Sequence, residues 1–154
     1  MKHSIIMLLL LFNLTLSFSQ TSKIDSLLTI IGSEVQNSKE LVNNKNSKLI
    51  LNQNKRSLNI LASFFLDSSK SNVYSECQNR FLNKGELAII LADRIEMLPY
   101  ALITGVQNCL LTFCKDNKNL VEYYLSWNEI NTKVNFQNRY LEWLKSKGRK
   151  KWRI

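Results

Sequence analysis

The sequence predicts an all-α protein, with about five helices in a compact bundle or a short stack of antiparallel helix hairpins, after a cleaved signal peptide. Three observations lead to this prediction. Apolar residues recur at helical spacing through most of the chain. Glycine and proline, which punctuate strands and tight turns, number only four and one. The longest apolar stretch after the leader, residues 84–114, is divided by that single proline, Pro99.

Residues 1–19 have the pattern of a secretory signal peptide, with basic Lys2, an apolar run, and small Ser17 and Ser19 before a cleavage at Gln20. An uncleaved membrane anchor is the alternative, but polar residues interrupt the run before the ~20 apolar residues that a span requires. We therefore expect a periplasmic or secreted protein with no transmembrane span in the mature chain. The ending SFSQ resembles the leaders of exported proteins of Bacteroidota, which implies export and no particular activity.

The mature chain is expected to form a single helical domain, residues 20–147, followed by a basic tail, residues 148–154. Cleavage removes His3, the only histidine. Without imidazole the mature chain cannot hold a Ser-His-Asp or Cys-His catalytic system or a histidine metal site. It also has no glycine-rich phosphate loop and no CxxC pair, so we expect no metal and no cofactor.

The first half of the mature chain predicts two helices and a loop. Residues 22–43 form the first helix, and residues 48–66 form the second after the break NNKNS. The second helix turns four residues inward: Leu58, Leu61, Ala62 and Phe65. Residues 67–84 show no periodicity and read as a long connection, which in a compact domain is often functional or tied down.

The central stretch predicts a helix hairpin about Pro99. Asn83 and Glu86 have the spacing of a capping box at the start of the first helix. Pro99 ends that helix and begins the next, which is expected to continue to Cys114 with Gly105 in its interior, where a neighbouring backbone approaches closely.

Two further helices are expected near the C-terminus, over residues 119–131 and 135–147. In the last helix the apolar face is formed by Phe136, Tyr140, Trp143 and Leu144, and Gly148 is expected as its C-cap.

Three cysteines remain in an exported and therefore oxidising setting. Cys109 and Cys114 lie on one predicted helix about 8 Å apart by rise alone, which is too far for a disulfide. An antiparallel hairpin would bring Cys114 to the loop that holds Cys77, so we favour Cys77–Cys114, with Cys77–Cys109 second. Three reduced, buried thiols are the alternative.

Positive charge is concentrated at the C-terminus. Residues 139–154 contain seven basic residues and one acidic residue, a formal +6, whereas the rest of the mature chain is almost neutral. The candidate binding residues are Lys145, Lys147, Arg149, Lys150, Lys151, Trp152 and Arg153. Such a segment suits an anionic envelope component or an acidic protein surface, and export makes nucleic acid an improbable partner. The alternative is a solvated terminus that keeps the protein soluble.

The best constellation for catalysis is Glu86, Asp93 and Glu96, which share one face of the predicted helix as a carboxylate acid/base site would. The same spacing is typical of a solvent-facing side. Two functions therefore stand: an exported binding module of unknown ligand, which is favoured, and a periplasmic hydrolase that uses Glu86 and Asp93.

Overall fold

The computed structural model describes residues 19–105, 120–125 and 130–151, and they form a mostly helical fold with one small β-hairpin. The α-helices are α1 (residues 19–34), α2 (Lys45–Leu51), α3 (Leu58–Ser63), α4 (Lys84–Ile95), α5 (Tyr100–Thr104), α6 (Ile130–Lys145) and α7 (Gly148–Lys151). Three 3-10 helices span Ser38–Asn43, Asn54–Ser57 and Leu120–Leu125. The strands are β1 (Lys70–Ser75) and β2 (Arg80–Asn83).

The predicted first helix, residues 22–43, is wrong in its second half. It ends at residue 34, and an extended segment leads into the 3-10 helix Ser38–Asn43. The reason is tertiary: the Tyr74 N–H donates to the Gln36 carbonyl at 2.9 Å, so this segment pairs with β1. Asn37 then caps the 3-10 helix by accepting from the Lys39 N–H.

The predicted second helix is also divided. It becomes α2, the 3-10 helix Asn54–Ser57 and α3, with a turn at Asn54, which has a left-handed φ of 53°. Asparagine adopts that conformation more readily than most side chains. The predicted inward face is confirmed, since Leu58, Leu61, Ala62 and Phe65 are all buried.

The expected loop over residues 67–84 contains the β-hairpin. The all-α prediction is therefore wrong for this segment, although the described fold is mostly helical. The strands pair antiparallel, with Tyr74 opposite Phe81 and Ser75 opposite Arg80. Their inward positions are Val73, Ser75 and Leu82. Because a polar serine occupies one of those positions, the alternation of apolar and polar residues that marks a strand is absent from the sequence.

The central helix α4 begins as predicted. The Asn83 side chain accepts from the Glu86 N–H, and the Glu86 side chain accepts from the Asn83 N–H, which is the predicted capping box. Every residue from Gly85 to Ala92 is buried. Helices α1, α3, α4 and α6 contribute much of the core around it: Ile24, Leu28, Ile31, Leu61, Ala62, Leu87, Ile90, Leu91, Phe136 and Tyr140.

The predicted hairpin about Pro99 is shorter than expected in its described part. Pro99 is the N-cap of α5, and Gly105 ends that helix in the left-handed conformation with φ 72° instead of lying in its interior. Glycine has no Cβ, so it is well suited to that C-terminal position. The remainder of the predicted helix, up to Cys114, lies outside the described residues.

The C-terminal helix is confirmed and begins earlier than predicted, at Ile130. Its predicted apolar face is buried, and the Phe65 ring packs against those of Phe136 and Tyr140, with centroids 5.8 and 5.1 Å away. Gly148 is not a simple C-cap, because it begins the short helix α7. The predicted helix 119–131 corresponds in part to the 3-10 helix Leu120–Leu125.

Candidate functional site

Glu86, the first of the candidate catalytic carboxylates, is a structural residue. Its side chain is 2% exposed. Its two oxygens accept hydrogen bonds from Arg80 at 2.7 and 2.8 Å, and Oε2 also accepts from the Asn83 N–H at 2.9 Å. Lys133 Nζ lies 3.8 Å from Oε1. Arg80 also donates to the Leu125 carbonyl at 3.1 Å, so this carboxylate ties β2, α4 and the 3-10 helix Leu120–Leu125 together.

Asp93 organises the chain after α4. Its Oδ1 accepts from the Leu98 N–H at 3.0 Å and from the Tyr100 hydroxyl. Burial raises the pKa of Asp93 above its ordinary value, although these hydrogen bonds oppose the rise. Burial also raises the pKa of Tyr100, whose ring stacks on that of Tyr124 at 4.7 Å. Glu86 and Asp93 therefore have different partners, and seven residues of helix separate them by about 10 Å of rise.

Glu96, directly after α4, joins three segments of the chain. Its carboxylate accepts from Arg149 Nε at 3.0 Å and Nη2 at 2.7 Å, and Lys55 Nζ lies 3.2 Å away. Hydrogen bonds from Arg149 hold the pKa of Glu96 below its ordinary value against the opposing effect of burial, and Lys55 contributes in the same direction. Glu96 thus connects the end of α4, the 3-10 helix Asn54–Ser57 and α7.

Arg149, predicted as a binding residue, is an internal anchor in the structure. Besides the two hydrogen bonds to Glu96, its Nη1 donates to the Leu144 carbonyl at 3.0 Å. Its guanidinium lies over the Trp143 ring, 5.6 Å from the centroid. A bidentate pair of this kind fixes orientation as well as distance, so the C-terminal segment is held where it leaves α6.

The other predicted binding residues are placed only in part. Lys145 and Lys147 are exposed at the end of α6. Lys150 and Lys151 belong to α7, and Trp152 and Arg153 lie outside the described residues. The binding role assigned to these six residues stays a prediction.

An open polar cleft of about 790 Å³ lies beside Glu96, between the start of α1 and the turn after α2. Three of its residues are cationic: Lys23, Lys55 and Arg56. Four carry amide side chains: Gln20, Asn52, Gln53 and Asn54. Ile95 is the one apolar residue of the lining, and no carboxylate is among the described residues that line it.

This cleft is absent from the sites predicted from the sequence. The available signal was the run Asn52–Arg56, NQNKR, which has no apolar residue and interrupts the helical pattern of residues 48–66. A polar run inside a predicted helix indicates a turn, and here the turn faces residues of α1 that are about thirty positions away in the sequence. Only the packing of α1 against this region brings Lys23 to the same surface.

The disulfide prediction is not tested. Cys77 is half-buried in the turn between β1 and β2. Cys114, its favoured partner, and Cys109, the second choice, both lie outside the described residues. The pairing stays a prediction.

A second buried carboxylate, Glu122, was not singled out in the sequence. It is 0% exposed and accepts hydrogen bonds from the hydroxyls of Ser38, at 3.0 Å, and Ser75. Gln78 donates to its backbone carbonyl. This cluster connects the 3-10 helix Leu120–Leu125 to β1 and to the 3-10 helix Ser38–Asn43. Because Glu122 is fully buried, we assign it a structural role.

Comparisons add no family to this chain: no family model, curated protein or solved structure matches it. Of the helices that the structure describes, none combines the length and apolar composition that a bilayer span requires. Over the same residues, no three His, Cys, Asp or Glu side chains come together as ligands for a metal ion.

Proposed function

We propose that this protein is an exported helical binding module that engages an anionic component of the cell envelope through its basic C-terminal segment, residues 145–154. One observation supports the proposal above the others. Glu96 binds both Arg149, which belongs to the basic segment, and Lys55, which lines the cleft. One residue of the basic segment is therefore held next to a cation of the cleft that is remote from it in sequence.

The positive charge of the chain is concentrated near its C-terminus. Residues 139–154 carry a formal +6 out of +9 for the whole chain. Like charges in one short segment repel each other, and an anionic surface relieves that repulsion while it attracts the segment. Each lysine or arginine near an anionic membrane surface contributes about 1 kcal/mol of attraction. Trp152, among those cations in the sequence, adds a side chain suited to the membrane interface.

The test substitutes three cations and leaves the Arg149 anchor intact. In the variant Lys150→Gln/Lys151→Gln/Arg153→Gln, we expect affinity for an envelope fraction and for phosphatidylglycerol vesicles to fall by about tenfold or more. Co-sedimentation measures this, first at about 0.05 M and then at about 0.5 M salt, where screening should release the wild-type protein as well.

A control variant of equal charge change makes the test specific. Lys45→Gln/Lys48→Gln/Lys70→Gln removes three exposed lysines that lie outside both the basic segment and the cleft. Equal losses in the two variants would mean that only net charge matters, which contradicts the proposal. Retention that disappears after protease treatment of the envelope fraction would instead identify an acidic protein as the partner.

The alternative function, a periplasmic hydrolase, has no comparable support. The Glu86 carboxylate is bound by Arg80 and takes part in the capping box of α4. The Asp93 carboxylate accepts a hydrogen bond from Tyr100 and stabilises the turn after α4. Neither carboxylate lines the cleft.

A further inference from the structure

We infer that the cleft lined by Gln20, Lys23 and Asn52–Arg56 is a second binding site, and that it takes an anionic saccharide: a hydroxyl-rich ligand with a phosphate or carboxylate group. This site is distinct from the C-terminal segment and does not depend on it for its cations. Three properties of the lining support this assignment: its charge, its hydrogen-bonding groups and its small share of apolar side chains.

The charge of the lining selects an anion. Lys23 and Arg56 are exposed and form no salt bridge among the described residues, so both are available to a ligand. Lys55 already contacts Glu96. Glu96 follows Ile95 at the edge of the cleft, so its carboxylate would repel an anionic ligand group on that side. An arginine and a lysine that line the same cleft are the side chains that proteins use to bind a phosphate or carboxylate.

The amides select hydroxyl groups. Asn52, Gln53, Asn54 and Gln20 each carry a carbonyl that accepts and an NH₂ that donates. A hydroxyl group is itself a donor and an acceptor, so a polyol can satisfy such groups in pairs. The left-handed conformation of Asn54, φ 53°, turns the chain so that five consecutive residues line one surface.

The side chains that line the cleft favour a polar ligand over an apolar one. Its volume, about 790 Å³, falls within the range of about 300–1,000 Å³ that is usual for small-molecule sites. Those sites are mostly lined by apolar and aromatic side chains, whereas the described lining of this one includes a single apolar side chain, Ile95, and no aromatic ring. A hydrocarbon chain or a stacked nucleobase would therefore find little contact here.

Calorimetric titration of the purified protein at low salt tests the inference, with glucose 1-phosphate, glucuronate, glucose and inorganic phosphate as probes. We expect one or both of the anionic sugars to bind. Tighter binding of glucose 1-phosphate would indicate a phosphorylated glycan, and tighter binding of glucuronate would indicate a uronate polymer. Glucose that binds as well as the anionic sugars, or inorganic phosphate that binds as tightly as glucose 1-phosphate, would overturn the inference, as would no binding by any probe.

Variants locate the site. Lys23→Gln/Arg56→Gln should weaken binding of the better anionic sugar by about tenfold or more, because both charge-assisted contacts are lost. Lys45→Gln/Lys48→Gln, which removes two exposed lysines of α2 outside the cleft, should change it by less than about twofold, as expected of distant surface charges. Equal effects of the two variants would place the ligand elsewhere.

Different variants test the cleft and the basic C-terminal segment, so either site can be disproved without the other. The cleft variant keeps all residues of the basic C-terminal segment, and the tail variant keeps all residues of the cleft. Sugar binding that is lost in Lys23→Gln/Arg56→Gln while envelope retention persists supports both sites. Sugar binding that depends instead on Lys150, Lys151 and Arg153 would overturn the cleft assignment.

Discussion

The two ends of α4 use the same pair of residue types for different purposes. At the start, Glu86 binds Arg80 with its side chain 2% exposed, inside a capping box. After the end, Glu96 binds Arg149 with its side chain 14% exposed, and it also contacts Lys55. The first pair connects elements of the core, whereas the second holds Arg149 of the basic segment beside Lys55 of the cleft. Burial, rather than the identity of the pair, separates a folding role from a positioning role.

This difference matters because removing one partner costs more where water cannot replace it. At Glu86, Arg80 and the Asn83 N–H bind both oxygens of a side chain that is almost fully buried, so water has little access to replace a lost partner, and Lys133 lies farther away at 3.8 Å. Near Glu96, solvent and Lys55 can compensate in part.

Glu86→Gln should lower the free energy of unfolding by about 3 kcal/mol, at the lower end of the range for a broken buried pair because Arg80 is partly exposed. The substitution leaves the guanidinium of Arg80 without its anion and weakens the cap of α4. Urea denaturation near neutral pH measures the loss. A loss below about 1 kcal/mol, typical of a surface pair, would contradict the structural role assigned to Glu86.

Gly85→Ala should cost about 2 kcal/mol at the same end of α4, because overpacking a closed site forces the backbone to shift. A Cβ at Gly85 would lie 2.4 Å from the Phe65 carbonyl oxygen and 2.8 Å from that of Phe64. Gly148→Ala is the matched control, since its nearest neighbour, Ser146 Oγ, would lie at an ordinary 3.6 Å. Equal thermal unfolding of the two variants would argue against the tight contact between the start of α4 and the backbone that follows α3.

Glu96→Gln should cost about 1 kcal/mol near neutral pH, as a partly exposed ion-pair network does. The folded-state pKa of Glu96 is lowered from 4.5, so its stabilisation is present above that value and is lost as the pH falls through the folded pKa. The difference between wild type and variant should therefore shrink in acid. Urea midpoints over that range measure it, and hydrogen exchange should show α7 less protected in the variant. A difference that is independent of pH would contradict the ion pair.

Asp93→Asn should change stability least, by about 0.5 kcal/mol in the stabilising direction near neutral pH. The amide oxygen can still accept from the Leu98 N–H and the Tyr100 hydroxyl, and the buried charge is removed. The folded pKa of Asp93 is raised from 3.8, so the wild type is relatively most stable below that value and loses stability as the pH rises through the folded pKa. The stability of the variant relative to the wild type should therefore increase as the pH rises through the folded pKa of Asp93. A large loss at neutral pH would show that the charge itself is required.

Local signals predicted several parts of the fold correctly. The Asn83 and Glu86 capping box, the buried face of α6 and the inward residues of α3 each depend on side chains within a few positions of each other. The hairpin β1–β2 was missed because its pairing depends on contacts with Gln36 and Asn37 and with buried Glu122, none of which is near in sequence. The division of the first two predicted helices has the same origin, since Asn37 and Asn54 leave the helix where the chain turns toward distant partners.

The candidate site shows the same limit. The sequence indicated the basic C-terminal residues, because charge can be counted without coordinates. It could not show that Arg149 binds Glu96, or that Lys23 and Arg56 share a cleft, since those contacts join positions 53 and 33 residues apart.

By itself, the sequence determined the helical character, the cap of α4 and the concentration of positive charge at one end, because these depend on composition and on spacing within a few turns of helix. Which charges are buried in ion pairs within the protein, and which stay exposed on its surface, depends on the tertiary structure. That choice depends on desolvation, and desolvation is set by the neighbours that folding brings from distant parts of the chain.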